Sequence, residues 1–188
     1  PLGLRGTSQV FRLGDTPAIL DFPKKGAPET FAWMNSINAY SMPYINGRLW
    51  DISLASARYA VEDACMRPDG KPWIENYARA FAVMCPKAKR WQQALLHNFT
   101  NVVYGWGAGA VYCDQISCSR PHMCHNPAHG HTLGGGNWWA EGYREALEPV
   151  RKALAPAGAP ITSEGMAECW IALAKASSAS MRAAASAI

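Results

Sequence analysis

The amino-acid sequence predicts an α/β protein with a parallel sheet built from about four βα units. Short apolar runs alternate with helical segments, an order that is typical of parallel strands joined by right-handed crossovers. Polar residues gather where the predicted strands end and the helices have not begun, which is where α/β folds bind ligands. Since a complete (β/α)8 barrel takes about 250 residues, a chain of 188 residues is either an incomplete barrel or an open sheet.

The first half of the chain contains two helices and two strands. Phe31, Met34 and Ile37 recur at helical spacing and predict a short helix. The apolar run that ends at Cys85 is closed by Pro86 and predicts a buried strand. The expected elements are an irregular N-terminal segment (1–27), a helix (28–38), a strand (42–50), a helix (53–65) and a strand (79–85).

The second half repeats the alternation. Trp91, Leu95, Phe99 and Val102 mark the core-facing side of one helix, and Pro149 predicts a kink or an early end in the next. The expected elements are a helix (87–104), a strand (109–116), a helix (137–155) and a strand (160–163). The last residues (171–188) are rich in Ala and Ser and are expected to form a marginal helix or a frayed tail.

The composition excludes several classes of protein. With 49% hydrophobic and 17% charged residues, the chain is not expected to be disordered. Its net charge of +4 comes from scattered basic residues, so we expect no nucleic-acid partner. No apolar run approaches the roughly 20 residues of a membrane helix, so we expect no membrane partner. The chain begins at Pro1 without a signal-peptide pattern, and we expect it to be a fragment.

Two carboxylates follow successive predicted strands. Asp114 lies near the end of one strand and Glu164 directly after the next. Retaining glycosidases need two such groups, held about 5–5.5 Å apart, and usually take them from different strand ends. Tyr112 and Gln115 beside Asp114 are candidates to hold substrate hydroxyls, and Glu168 is a reserve acid or a supporting partner. Alternatively, each carboxylate serves only a loop or a helix N-terminus.

A loop rich in His and Cys follows Asp114, and three interpretations of it stay open. Imidazole and thiolate groups suit zinc, although the loop contains no CxxC pair. The same side chains could instead organise the loop by packing, or His129 and His131 could bind sugar hydroxyls directly. The candidate ligands are Cys118, His122, Cys124, His125, His129 and His131.

A triple glycine and two tryptophans end this loop. Gly134–Gly136 lacks the nucleotide-binding patterns, so the glycines are expected to allow a close approach to substrate or a sharp turn into the helix. Trp139 lies on the core stripe of that helix, while Trp138 is a candidate platform for a sugar ring.

Four segments resemble a family of bacterial barrel proteins, itself similar to glycoside hydrolases of the endo-α-N-acetylgalactosaminidase type. These segments are YINGRLWD (44–51), VYCDQISC (111–118), HGHTLGGGNWW (129–139) and ITSEGMAE (161–168). The resemblance implies a (β/α)8 domain with a retaining mechanism on α-linked sugars. By position, it also implies a nucleophile at Asp114 on the fourth strand and an acid/base at Glu164 on the fifth.

On this resemblance, the fold is a partial (β/α)8 barrel over residues 1–170 with a tail over residues 171–188. Asn46, Arg48 and Asp51 would lie on the third-strand side of the pocket and contact substrate. We expect a retaining glycoside hydrolase with a carbohydrate substrate, no cofactor and no catalytic metal, whose missing strands leave this chain inactive alone. The alternative is a non-catalytic carbohydrate-recognition or zinc-binding domain organised by the loop 118–131.

Overall fold

A computed structural model of the protein describes residues 27–53, 61–77 and 79–165. The helices are α1 (Ala27–Ser36), α2 (Lys89–Thr100) and α3 (Trp138–Leu154). The strands are β1 (Tyr44–Asn46), β2 (Leu49–Asp51), β3 (Ile74–Asn76), β4 (Ala80–Val83), β5 (Val111–Asp114) and β6 (Ile161–Thr162). The predictions made for the irregular N-terminal segment, for Glu168 and for the C-terminal tail fall outside the described residues.

The central feature is a parallel sheet with the strand order β1-β5-β6. Tyr44 lies opposite Tyr112, and Val111 lies opposite Ile161, with both pairs of strands parallel. Helix α2 precedes β5, and helix α3 connects β5 to β6. The prediction of a mixed α/β fold with a parallel sheet is therefore confirmed.

A second sheet was not predicted. Strands β2, β4 and β3 form an antiparallel sheet in that order. The predicted strand over residues 42–50 is broken at Gly47. The backbone amides of Arg48 and Leu49 donate hydrogen bonds to the Asn46 side-chain oxygen, which closes a turn there. The predicted strand over residues 79–85 is β4, which pairs antiparallel with both neighbours instead of joining the parallel sheet. Within the described residues, the parallel sheet has three strands, so four consecutive βα units are not found.

The two long helices form where the apolar stripes predicted them, and they pack against each other. In α2 the buried stripe includes Trp91, Leu95 and Phe99. Helix α3 continues past Pro149, which lies on its exposed side, so neither an early end nor a loss of packing results. No helix among the residues that the structure describes is long and apolar enough to span a membrane.

The two faces of the parallel sheet differ in chemistry, because successive residues of a strand point to opposite sides. One face is apolar and belongs to the core, and its members are Ile45, Val111 and Cys113. The opposite face carries Tyr44, Asn46, Tyr112, Asp114 and Thr162. The candidate site lies on this polar face, at the carboxyl ends of the strands.

Candidate functional site

Asp114 is the last residue of β5, and its carboxylate is held from the neighbouring strand. The Tyr44 hydroxyl donates a short hydrogen bond to Asp114 Oδ2. Asp114 Oδ1 is buried and has no hydrogen-bond partner among the described residues. Burial, together with the hydrogen bond to Asp114 and the charge of its carboxylate, raises the pKa of Tyr44, so this phenol stays protonated and donates. One carboxylate oxygen is thus fixed by Tyr44, and the other is buried without a hydrogen-bond partner among the described residues.

Glu164 is positioned by contacts between the loops that follow β5 and β6. Ser117 Oγ lies 2.6 Å from the carbonyl oxygen of Glu164 and 2.6 Å from that of Gly165. Cys118 Sγ lies 3.6 Å from Glu164 Oε2. These contacts place the exposed Glu164 carboxylate just after β6, the strand next to β5.

The two carboxylates lie close together. One oxygen of Asp114, one oxygen of Glu164 and the sulfur of Cys118 are all within 4.8 Å of one another. A hydrogen bond with Asp114 and the negative charge of that carboxylate raise the pKa of Glu164. Burial, followed by the charges of Glu164 and Asp114, also raises the pKa of Tyr112. The arrangement combines a carboxylate that a tyrosine fixes with a second carboxyl group whose pKa is raised.

Two tyrosines line the polar face beside this pair. The rings of Tyr44 and Tyr112 are stacked, with their centroids 5.8 Å apart and their planes at 29°. Tyr112 is half-buried, so part of its ring faces the space in front of the sheet. This surface is aromatic and lies next to both carboxylates.

Arg48 lies in the turn between β1 and β2 and is buried, with a side-chain exposure of 2%. Its guanidinium donates to both oxygens of Glu75, at 2.9 and 2.5 Å, and to Gln115 Oε1 at 3.3 Å. Gln115 follows Asp114 directly and has a backbone φ of 65°, in the left-handed region. Arg48 therefore supports the turn after β5 rather than offering a free cation.

Asn46 and Asp51 also make structural contacts. Asn46 caps the turn at Gly47 through its side-chain oxygen. The Asp51 carboxylate accepts hydrogen bonds from the backbone amide and the hydroxyl of Ser53 and pairs with Arg79 at 3.1 Å. Burial opposes ionisation of Asp51, but these bonds outweigh it and lower the pKa.

The six candidate zinc ligands of the loop do not lie together. Cys118 lies beside Asp114 and Glu164, and His122 is 3.1 Å from Glu75 Oε1. Three of the candidates lie together with Cys85, which follows β4 in the chain. This group consists of Cys85, Cys124, His129 and His131. The structure brings neither His129 nor His131 into contact with the carboxylate pair among the hydrogen bonds of the described residues.

Trp138 does not present an open face to a sugar. Its side chain is 4% exposed, and its ring stacks on His131 with a centroid distance of 3.9 Å and an interplanar angle of 9°. Its indole nitrogen donates to the carbonyl oxygen of Gly134 at 3.1 Å. The expected platform is therefore occupied within the protein. The triple glycine serves the sharp turn, with φ values of 84° at Gly134 and 134° at Gly136.

Sequence reasoning missed Tyr44, Glu75 and Cys85. Tyr44 carried a usable signal, because Asn46 was placed at a strand end and the residue two positions earlier points to the same face. Cys85 closes the apolar run that predicted a strand, and it lies two residues after β4. Glu75 carried no signal in the sequence, since its partner Arg48 is 27 residues away along the chain.

The chain matches one family model and two curated relatives. The model, described as a domain of unknown function (DUF6259), matches residues 22–181. A protein of Bacteroides thetaiotaomicron, provisionally named a glycoside hydrolase, is 33% identical over 155 residues, which is 80% of this chain and 23% of the relative. A similarly named protein of Monosiga brevicollis is 29% identical over 140 residues, 69% of this chain and 12% of the relative. The chain thus spans less than a quarter of the length of either relative.

Solved glycosidase structures share the fold. The ligand-free α-N-acetylgalactosaminidase of Bifidobacterium bifidum superimposes with a TM-score of 0.60 at 16% identity, over 78% of this chain and 23% of that enzyme. The α-galactosidase of Thermus thermophilus, in complex with stachyose, gives 0.53 at 13% identity, over 74% of this chain and 28% of that enzyme. At these identities the likeness concerns the fold alone.

Proposed function

This chain belongs to the DUF6259 family, and on that premise we propose that it supplies the catalytic carboxylates of a retaining glycoside hydrolase that acts on α-linked sugars. Its curated relatives carry glycoside-hydrolase names, and the structures that share its fold include an α-galactosidase and an α-N-acetylgalactosaminidase. In this proposal the three-stranded parallel sheet is part of a (β/α)8 barrel.

The observation that carries the proposal is the separation of Asp114 and Glu164. Their nearest oxygens are within 4.8 Å at the carboxyl ends of neighbouring parallel strands. Retaining glycosidases hold the two carboxyl groups about 5–5.5 Å apart, whereas inverting enzymes hold them about 6.5–9.5 Å apart to admit a water molecule. The short separation favours direct attack by one carboxylate on the anomeric carbon.

The surroundings of each carboxylate favour one assignment of roles. Tyr44 holds the Asp114 carboxylate in position, so we assign Asp114 the attack that forms the glycosyl-enzyme bond as the leaving oxygen departs. Glu164 is exposed to the space that a leaving group would occupy, and its raised pKa keeps a proton available. After giving that proton to the leaving oxygen, Glu164 would remove one from the water that hydrolyses the intermediate.

The remaining predicted residues support this pair in two ways. We propose that Tyr112 contacts the sugar, because its half-buried ring lies on the same face of the sheet as Asp114. Gln115 is the second candidate for a substrate contact, and Arg48 holds its side chain. Asn46 and Asp51 are assigned to positioning the β1–β2 turn and the antiparallel sheet beside the site.

Substitution of each carboxylate in the full-length protein tests the proposal. Asp114→Asn should reduce hydrolysis of an aryl α-galactoside or an aryl α-N-acetylgalactosaminide to background. Glu164→Gln should lower kcat/KM by about 10²- to 10⁴-fold, the usual contribution of a general acid. Azide should restore turnover to Glu164→Ala on a substrate with an activated leaving group, and the glycosyl azide should keep the α configuration.

Two surface substitutions serve as controls, Asp69→Asn and Glu148→Gln, since both carboxylates lie in exposed ion pairs. Both controls should retain wild-type rates. Full activity in Asp114→Asn would overturn the assignment of the nucleophile. Sugar binding without turnover in the wild-type protein would instead favour the non-catalytic recognition domain.

A further inference from the structure

A cluster of thiols and imidazoles lies away from the carboxylate pair. It consists of Cys85 at the end of β4 and of Cys124, His129 and His131 in the loop between β5 and α3. We call these four residues the thiol–imidazole cluster. Cys124 and Cys85 are fully buried, and His129 is 9% exposed. The proposed glycosidase chemistry uses none of these side chains.

The distances within the cluster match those around a single tetrahedral ion. One ligand atom from each of the four residues lies within 4.8 Å of all the others. Cys124 Sγ is 3.5 Å from His129 Nδ1, and Cys85 Sγ is 3.4 Å from His131 Nε2. Zinc bonds of about 2.3 Å to sulfur and about 2.1 Å to nitrogen place tetrahedral ligands roughly 3.4–3.8 Å apart. Small side-chain adjustments would therefore suffice to bind the ion.

Both histidines already have the orientation that a metal ligand needs. His129 Nε2 lies 3.0 Å from the carbonyl oxygen of Glu62, and His131 Nδ1 lies 2.8 Å from the carbonyl oxygen of Thr132. A carbonyl oxygen only accepts, so the Thr132 carbonyl places the proton of His131 on Nδ1. The Glu62 carbonyl favours a proton on Nε2 of His129, and Asn126 Nδ2 also lies 3.1 Å from that nitrogen. The inner nitrogens, which face Cys124 and Cys85, are left with free lone pairs. Metal-binding histidines are typically oriented in this way by a carbonyl or carboxylate behind the ring.

The sulfur of Cys124 is also held in position by the surrounding backbone. The backbone amide of Met66 donates to Cys124 Sγ at 3.4 Å. The backbone around Cys124 is also fixed, since its amide and carbonyl pair with Gly134 at 3.2 and 2.8 Å. Behind the second histidine, the Trp138 ring stacks on His131. The positions of Cys124 and His131 are therefore fixed by their contacts with Met66, Gly134 and Trp138.

We propose that the thiol–imidazole cluster is a structural Zn²⁺ site with two cysteine and two histidine ligands. Soft thiolates and imidazoles select zinc over the hard cations that prefer oxygen ligands. Four protein ligands leave no open position for water or substrate, which is the pattern of a structural site rather than a catalytic one. The ion would join the end of β4 to the loop that follows the proposed nucleophile. Cys65 is a buried thiol beside Cys85 and Cys124, but it lies outside the group of four residues whose ligand atoms are all within 4.8 Å of one another.

Elemental analysis of the full-length protein, purified without chelators, tests the proposal. We expect about one zinc per chain, and a content at least tenfold lower in both Cys124→Ser and His129→Ala. Cys113→Ala is the matched control, because Cys113 is an equally buried thiol outside the cluster. Cys118→Ser is the second control, because Cys118 belongs to the other group of possible ligands, with Asp114 and Glu164. Both controls should keep their zinc.

Cobalt substitution provides a readout that needs no variant. Wild-type protein reconstituted with Co²⁺ should show the absorption of tetrahedral cobalt with thiolate charge-transfer bands. Chelation by phenanthroline should lower Tm in the wild-type protein and leave Cys124→Ser unchanged. Zinc retained in Cys124→Ser but lost in Cys118→Ser would overturn the proposal. So would a wild-type protein that binds neither zinc nor cobalt, because the cluster would then be held by hydrogen bonds alone.

Discussion

Substitution of Glu75 by glutamine removes the negative charge that neutralises Arg48. The Arg48 side chain is 2% exposed and that of Glu75 is 21% exposed, and two hydrogen bonds of 2.9 and 2.5 Å join them. Glu75 also lies 3.1 Å from His122 Nε2 and accepts the Tyr77 hydroxyl at 3.1 Å. The substitution keeps the shape of the side chain but leaves a buried guanidinium without a counter-charge.

The expected cost follows from the burial of the pair. Removing one partner of a buried ion pair costs about 3–5 kcal/mol, because the remaining charge stays out of water. Since Glu75 is partly exposed, water can approach the Arg48 guanidinium after the substitution. We therefore expect a loss at the lower end of this range, about 3 kcal/mol. Against a typical free energy of unfolding of about 5–15 kcal/mol, this loss is readily measured by urea unfolding with linear extrapolation.

Glu148→Gln is the matched control for this experiment. Glu148 accepts two hydrogen bonds from Arg151, at 2.9 and 2.8 Å, but that pair lies on the surface of α3. Surface pairs contribute little, because water screens them. We expect no resolvable loss in Glu148→Gln. Equal losses in the two variants would refute the argument that burial makes the Arg48–Glu75 pair important.

A double variant separates the buried charge from the lost hydrogen bonds. Replacing Arg48 with methionine in the Glu75→Gln background removes the orphaned guanidinium, so the double variant should be more stable than Glu75→Gln alone. A double variant less stable than the single one would show that the hydrogen bond from Arg48 to Gln115, rather than charge neutralisation, carries the energy.

The same pair predicts a pH dependence. Burial opposes ionisation of Glu75, but the hydrogen bonds and charge of Arg48, with His122 and Tyr77, outweigh it and hold the pKa below its usual value of 4.5. A carboxyl group with a lowered pKa stabilises the fold above its unfolded-state value, and that stabilisation is lost as the pH falls through the folded-state value. The difference in stability between wild type and Glu75→Gln should therefore be constant near neutral pH and shrink below about pH 4.

Two further substitutions test the site and the turn beneath it. Tyr44→Phe removes the hydrogen bond to Asp114. A hydrogen bond to a charged group contributes about 1.5–3 kcal/mol, so kcat/KM for an aryl α-glycoside should fall by about 10- to 100-fold. A wild-type rate would show that this bond does not serve the proposed nucleophile. Gly47→Ala would place a methyl group 2.5 Å from Cys113 Sγ. Urea unfolding should reveal a loss of about 1–3 kcal/mol, unlike Gly135→Ala, where nothing lies within 4 Å.

Sequence reasoning located the elements whose signals are local. The stripes of α2 and α3 follow from helical periodicity, because each stripe must face the core. Asp114 and Glu164 could be placed at strand ends because a short apolar run followed by polar residues marks the carboxyl end of a buried strand. Their proximity is a consequence of parallel pairing, which brings such ends to one edge of a sheet.

The antiparallel sheet escaped prediction because its signals are ambiguous. The run that forms β4 is equally apolar in a parallel or an antiparallel sheet, so composition does not decide between them. The Asn46-Gly47 dipeptide is a strong turn signal, and it lies where β1 of the parallel sheet ends, shortly before β2 of the antiparallel sheet begins. Three members of the cluster around Cys85 were among the candidate ligands named from the sequence, but Cys85 was not, since almost 40 residues separate it from Cys124.

The backbone at Gln115, directly after the proposed nucleophile, has a strained conformation that polar side-chain contacts stabilise. A non-glycine residue with a φ of 65° is strained, at a cost of about 1–3 kcal/mol. Side-chain contacts offset this cost, because Gln115 accepts from Arg48 and donates to the Tyr77 hydroxyl at 3.3 Å. Both partners are also bonded to Glu75, in the antiparallel sheet.

The antiparallel sheet therefore contacts the turn after Asp114 at the end of β5. The same loop is attached to residues next to that sheet at two more points. Trp73 Nε1 donates to the carbonyl oxygen of Met123 at 2.9 Å, and Cys85 reaches the loop through the thiol–imidazole cluster. Each contact restrains a different part of one long loop, so loss of any one should loosen it without unfolding the sheet. The His and Cys residues that first suggest a metal-binding domain are then compatible with the proposed glycosidase chemistry, because they fix the loop that follows the proposed nucleophile.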